Sequence, residues 1–238
     1  MTKNEIKYIQ NLSDKKNRDS EKRFIVEGPK MVKELLRSNF RIEKIWGTED
    51  SIQPPSHVPF EKIAPTDMAR ISQLRTPSTL LALVHQPTES PTMETHAWTL
   101  ALDGIQDPGN LGTIIRIADW FGITQIVAST DTADCYNSKV VQATMGGILR
   151  VHVQYSDLET YLQHTDQPIY GALLDGENIY QTKDNPKGIL VIGNESKGIR
   201  PHIQSFIQHP VTIPRIGQAE SLNAAVATGI IVGQLVMK

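Results

Sequence analysis

Three short stretches of the sequence gather residues that could do chemistry, and each follows an apolar run. They are Asp103-Gly-Ile-Gln-Asp-Pro-Gly-Asn110, Gly193-Asn-Glu-Ser-Lys-Gly198 and Pro214-Arg-Ile-Gly-Gln-Ala-Glu-Ser221. Glycine lets backbone N–H and C=O groups come close to a ligand, while Asn, Glu and Ser add short donors and acceptors. Such loops suit a purine held through main-chain hydrogen bonds and packed on aliphatic side chains such as Ile213 and Leu222, and an adenosyl group fits that description. The plainer alternative is that Gly193 and Gly198 shape a turn and Ser221 caps the last helix. Other chemistries fail on spacing. Gly193 and Gly198 have P-loop separation, but Ile199 and Arg200 stand where Lys and Ser or Thr would reach phosphate and magnesium. Ser196 is one residue too far from Gly193 for a nucleophile elbow, and no G-x-G-x-x-G follows a predicted strand. A single cysteine, Cys135, excludes an internal disulfide and a Cys-based zinc site, and the seven histidines show no tight ligand spacing, so no metal is expected.

The elements that must position these loops read as an α/β protein. The chain has 238 residues, enough for one large domain or two small ones, and its 39% hydrophobic and 21% charged fractions exclude collagen-like or largely disordered classes. The Pro- and Thr-rich stretch 86–95 reads as a linker, which divides the chain into domains at 1–88 and 97–238. In front of it the patterns predict helices near 3–12, 29–38 and 66–73 and strands at 24–28, 42–47 and 80–85, a small α/β domain. Behind it strands are predicted at 99–103, 125–129, 169–174, 189–193 and 209–213, with helices near 111–121, 138–149, 157–164, 199–207 and 221–237. Strand and helix alternating in this rhythm imply βαβ units and a mainly parallel sheet, whose ligands bind at the carboxyl ends of the strands, where the three loops fall. The best apolar stretch, Leu222 to Met237, is broken by Asn223 and Gln234, and the first ten residues lack an apolar signal core. A cytoplasmic protein is expected, with no membrane partner.

Charge is uneven. Residues 1–88 carry 15 Lys and Arg against 11 Asp and Glu, whereas residues 89–238 carry 9 against 15. Lys15, Lys16, Arg18, Lys22, Arg23, Lys30 and Lys33 crowd the front, a footprint compatible with phosphate binding, although this feature alone favours a solvated helix face interspersed with Asp14, Asp19 and Glu21. Of these, Lys15, Lys16, Lys22 and Arg23 are the candidate nucleic-acid-binding residues.

The arrangement resembles the SpoU (TrmH) family of S-adenosylmethionine-dependent RNA ribose methyltransferases, within the SPOUT superfamily. Three motifs carry the likeness in order: Asp107 to Gly122 with Asn110 and Arg116, Leu190 to Ile199, and Ile213 to Gly229. Arg23 to Gly28 followed by a helix is similar to the family's substrate-binding extension. Ser196 stands where the family more often has Gly, and Ala224 where Val is commoner.

The resemblance implies a C-terminal parallel sheet with a deep trefoil knot, a homodimer whose partner completes the site, and methyl transfer to a ribose 2′-hydroxyl of structured RNA, with ribosomal favoured over transfer RNA. By position it implies that Gly193, Ile213 and Leu222, with Ile192 and Asn194, contact S-adenosylmethionine. Arg116, Asn110, Glu195, Ser221 and Asn223 would form the catalytic set. Three of them have an ordinary alternative: a surface pair with Asp119 at i+3 for Arg116, a helix N-terminal acid for Glu195, a cap for Ser221. An inactive RNA-binding relative and a base N-methyltransferase are the competing functional readings.

Overall fold

The computed structural model describes residues 1–49, 52–88, 97–182 and 186–237, and its chain divides into two units. In the front unit, Thr2 and Glu5 form a reciprocal capping box that starts helix α1 (Lys3–Asn11), which buries Ile6 and Ile9. Asp14 caps α2 (Lys15–Glu21), a helix without apolar periodicity and therefore invisible to a pattern reading. Then come β1 (Arg23–Glu27), α3 (Pro29–Leu35), β2 (Ile42–Gly47), β3 (Phe60–Lys62), α4 (Pro65–Ile71) and β4 (Leu80–His85). The sheet order is β1-β4-β2-β3, antiparallel except between β2 and β3. Alternation along the strands sends Ile25, Trp46, Leu81 and Leu83 into a core with Ile6, Ile9, Met68 and Ile71.

This front unit also takes in residues 136–149 from the middle of the chain. Tyr136 packs its ring 4.6 Å from that of Phe24, and in the helix Ser138–Ala143 (α6, counting along the chain) Gln142 donates to the Glu27 carbonyl at 2.8 Å. The helix expected over 138–149 stops at Ala143, because Met145 and Gly146 take positive φ of 51° and 99° before a 3-10 turn at Gly147–Leu149. Residues 89–95 of the expected linker lie outside the described residues.

The rear unit is built on a six-stranded sheet, every pairing of which is parallel. Along the chain run β5 (Thr99–Asp103), α5 (Pro108–Trp120), β6 (Gln125–Ala128), β7 (His152–Tyr155), α7 (Leu158–Gln163), β8 (Ile169–Asn178), β9 (Ile189–Gly193), α8 (Pro201–Gln204), β10 (His209–Thr212) and α9 (Ala224–Val236). The order β10-β8-β9-β5-β6-β7 makes β5 and β9 central neighbours, with the chain winding away from them on either side. Their buried runs, Thr99–Asp103 and Ile189–Ile192, are apolar almost throughout, as a strand covered on both faces requires. One face packs Leu158, Leu162, Ile199 and Ile203 of α7, α8 and their loops against Ala101, Val127 and Val191. On α9, Gly229 and Gly233 face Ile117 and Phe121, so α9 lies against α5 without side chains holding the backbones apart. β7 was not anticipated, and β8 runs four residues beyond the expected 174, with a register shift against β10 between Pro210 and Val211.

Candidate active site

Because the sheet is parallel, the loops after β5, β9 and β10 open at one edge, and hydrogen bonds between side chains join all three. At the start of α5, Asp107 accepts from the Asn110 backbone N–H at 2.8 Å and so caps the helix, which fixes where the Asn110 side chain begins. Asn110 Nδ2 donates to Glu195 Oε1 at 2.8 Å, and Asn110 Oδ1 accepts from Asn223 Nδ2 at 2.7 Å. Asn223 Oδ1 in turn accepts from the Ala225 and Val226 N–H groups at 3.0 and 3.2 Å, capping α9. The relay runs from a carboxylate through two amides to a helix N-terminus, and each amide orientation follows from its neighbours. The last helix therefore begins at Ala224, not 221, and its cap is Asn223 rather than Ser221, which lies exposed in the preceding loop. Glu195 is no helix N-terminal acid either, since α8 starts only at Pro201.

The loop from Gly193 to Arg200 is tied down at several points. Asn194 Nδ2 donates to the Gly104 carbonyl at 2.7 Å, while its Oδ1 accepts from the Ser196 and Lys197 N–H groups at 3.0 and 3.1 Å. Asn194 and Gly198 pair through their backbones at 3.0 and 2.9 Å, closing a tight turn that Gly198 completes at φ +67°. A Cβ on Gly193 would run into the Gly198 carbonyl carbon and the Ile199 nitrogen, so bare backbone at 193 is demanded by the protein's own turn. Ile192 is buried, Ile213 half-buried and Leu222 48% exposed.

Between Ile213 and Asn223 the backbone enters neither helix nor strand, and Ile216 is fully exposed. Main-chain groups free of any ladder beside uncovered aliphatic side chains form the donor set that an adenosyl moiety needs, so the residues fit S-adenosylmethionine. Arg116 lies exposed on α5, six residues beyond Asn110 and so on a different side of the helix. It is not held by Asp119, because Arg150 Nε and Nη2 bind the two Asp119 oxygens at 2.8 Å each.

Two residues that the sequence reading did not single out complete this edge. Asp103 ends the buried strand β5, and Arg200 donates to it from its backbone N at 2.7 Å and from Nε at 2.6 Å. Hydrogen bonding to Asp103 raises the Arg200 guanidinium above its ordinary pKa, and the Ser129 hydroxyl, with Arg200 as a further cause, lowers that of Asp131. A carboxylate at the end of an apolar, fully buried strand was the available signal, because a buried charge needs a partner.

In the front unit the four candidate RNA-binding cations differ. Lys15 pairs with Asp19 at 2.6 Å, and Arg23 is half-buried, bound to Glu43 and to the Glu21 carbonyl. Lys16 and Lys22 are exposed. Arg18, counted in the same basic run, is buried and donates to the Leu12 and Ser13 carbonyls at 2.8 and 2.7 Å. Among the described residues no group of three or more His, Cys, Asp or Glu is placed to hold a metal ion, and no helix is long and apolar enough to cross a membrane.

Comparison with known proteins adds to this geometry. Residues 3–82 match the MRM3-like substrate binding domain. A Bacillus subtilis protein named 23S rRNA (guanosine(2553)-2'-O)-methyltransferase RlmP is 31% identical, over 97% of this chain and 95% of its own. A solved structure from Porphyromonas gingivalis, described as of the TrmH family, superposes with a TM-score of 0.87 at 38% identity over 98% and 97% of the two chains. Another, an AdoMet-bound rRNA methyltransferase from Sinorhizobium meliloti, gives 0.88 at 27% identity over 98% and 94%. Residues 97–233, which hold all three loops and the amide relay between them, match the model of the SpoU rRNA methylase family, and the chain belongs to that family.

Proposed function

We propose that this protein transfers a methyl group from S-adenosylmethionine to a ribose 2′-hydroxyl of 23S ribosomal RNA. The observation that carries the reading is the Glu195–Asn110–Asn223 relay, which joins the loops of three family motifs at one edge of the parallel sheet. The RlmP relative is named for this reaction on 23S rRNA, and the Sinorhizobium neighbour is AdoMet-bound.

Residues 192–194, 213 and 222 would hold the cofactor largely through backbone atoms, with the exposed faces of Leu222 and Ile213 against the adenine. When bound, S-adenosylmethionine supplies an electrophilic methyl group on a sulfonium. Arg116 is assigned to the RNA: a guanidinium offers five N–H donors and no acceptor, which makes it a poor base, but it can grip a phosphate and stabilise the alkoxide as the hydroxyl proton leaves. Asn110 and Asn223 orient the loops, with Glu195 as the acceptor that anchors them and Ser221 free to reach substrate.

The family's trefoil knot and homodimer belong to the same reading. β10 lies at the sheet edge whereas α9 packs against β9 and α5, so residues 213–223 must carry the chain back past β8, which favours a threaded path. α5 and α9 leave Trp120 83% and Val226 52% exposed, apolar surface suited to a second copy. The front unit would recognise the RNA, in the cytoplasm and without a metal.

The test is incubation of the full chain with S-adenosylmethionine and unmodified 23S rRNA transcript, followed by mapping of 2′-O-methyl positions. One ribose methylated stoichiometrically is expected, and methyl groups found on base nitrogens, or none at all, would overturn the reading.

A further inference from the structure

Asp103 does more than end a strand. It lies opposite Gly193 in the β5–β9 ladder, so the first residue of the 193–200 loop is already fixed beside it. The last residue of that loop, Arg200, returns to the same carboxylate through its backbone N, its Nε and its Nη2. One end of the loop is thus held by the strand ladder beside Asp103 and the other by the Asp103 carboxylate, and Glu195 projects from the span between them to meet Asn110 at 2.8 Å. Nε and Nη2 converge on Asp103 Oδ1 while the backbone N takes Oδ2, so two nitrogens of one rigid guanidinium and a peptide N–H fix the carboxylate, where a single ammonium would offer one point of attachment. Asp131 stands 3.6 Å from Arg200 Nη2 and holds the outer side of the guanidinium.

We propose that Asp103 and Arg200 are positioning residues for methyl transfer, acting through Glu195 by closing its loop at the height where the amide relay forms. This rests on the methyltransferase reading above. Its consequence is energetic coupling: loosening the clamp should matter only while Glu195 is present to be positioned.

The experiment is a double-mutant cycle in kcat on 23S rRNA transcript, with Arg200→Lys made in the wild-type and Glu195→Ala proteins. Lysine keeps the positive charge that compensates Asp103, so the fold is retained while the two-nitrogen contact is lost. Arg200→Lys should lower kcat by about tenfold in the wild type and by less than about twofold with Glu195→Ala. In parallel the side-chain amide resonances of Asn110, identified by their loss in Asn110→Ser, should move in Arg200→Lys. An equal loss in both backgrounds with the Asn110 resonances unmoved would overturn the proposal. Asp103→Asn enters the same cycle should the lysine variant not fold. A wild-type protein that transfers no methyl group overturns the methyltransferase reading, and the Asn110 resonances then decide the positioning role on their own.

Discussion

Arg116 lies on the exposed face of α5, and Asp119, the acid one turn on, has both oxygens bound by Arg150. In the role proposed for Arg116, meeting RNA phosphate and a developing alkoxide, its guanidinium would contribute in the transition state and not to cofactor affinity. Arg116→Ala should therefore abolish methyl transfer while calorimetry finds S-adenosylmethionine binding nearly intact; loss of both would move Arg116 into the cofactor site. Gly193 behaves differently. Its missing side chain serves the crossing of Gly198 and Ile199, so Gly193→Val should lower the melting temperature and cofactor affinity together. A valine variant with unchanged stability would show that the turn tolerates a side chain. The sequence pointed to Gly193 but could not choose between ligand approach and turn, because the choice depends on backbone five residues further on. Asp103 and Arg200 were passed over for a related reason: they lie 97 positions apart, and only the ladder between β5 and β9 brings them together.

Helix α9 gains its first turn from Asn223, whose oxygen takes two backbone N–H groups while its nitrogen serves Asn110. Two substitutions separate these tasks. Asn223→Ala removes cap and relay and should cost about 1 kcal/mol of stability, with methyl transfer falling as well. Asn223→Asp keeps a capping oxygen but has no N–H to give Asn110, so it should melt near the wild-type temperature and still transfer poorly; full activity would limit Asn223 to capping. At this scale periodicity was a good guide to buried strands such as Leu80–His85 and Ile189–Gly193 and to α1 and α5, whose apolar positions repeat at the spacing of the element. It missed α2, which is polar on every side, and β7, whose four residues are only half-buried. Helix ends were misread where a cap or a positive φ decides them, at Asn223 and at Met145.

Across the molecule the positive charge of the front unit is partly neutralised by its own acids, which changes what an RNA would feel. Lys16 and Lys22 can approach phosphate directly, whereas Lys15 and Arg23 must first leave Asp19 and Glu43. Replacing Lys16 and Lys22 by Ala should flatten the log–log salt dependence of RNA binding by up to about one unit for each phosphate left without its cation, and replacing Lys15 and Arg23 by less. An unchanged slope in the first pair would make them a solvated face. The front unit is also discontinuous along the chain, since Tyr136 and α6 pack on β1 and Phe24. During synthesis, therefore, residues 1–88 leave the ribosome with all four strands of their sheet but without the helix and ring that pack on it, and must wait until residue 149 has emerged. By then β5 and β6 are already outside, so the two units mature in step, and a nascent chain cut short anywhere before that point carries a sheet whose Phe24 has Phe40 beside it but lacks the Tyr136 ring.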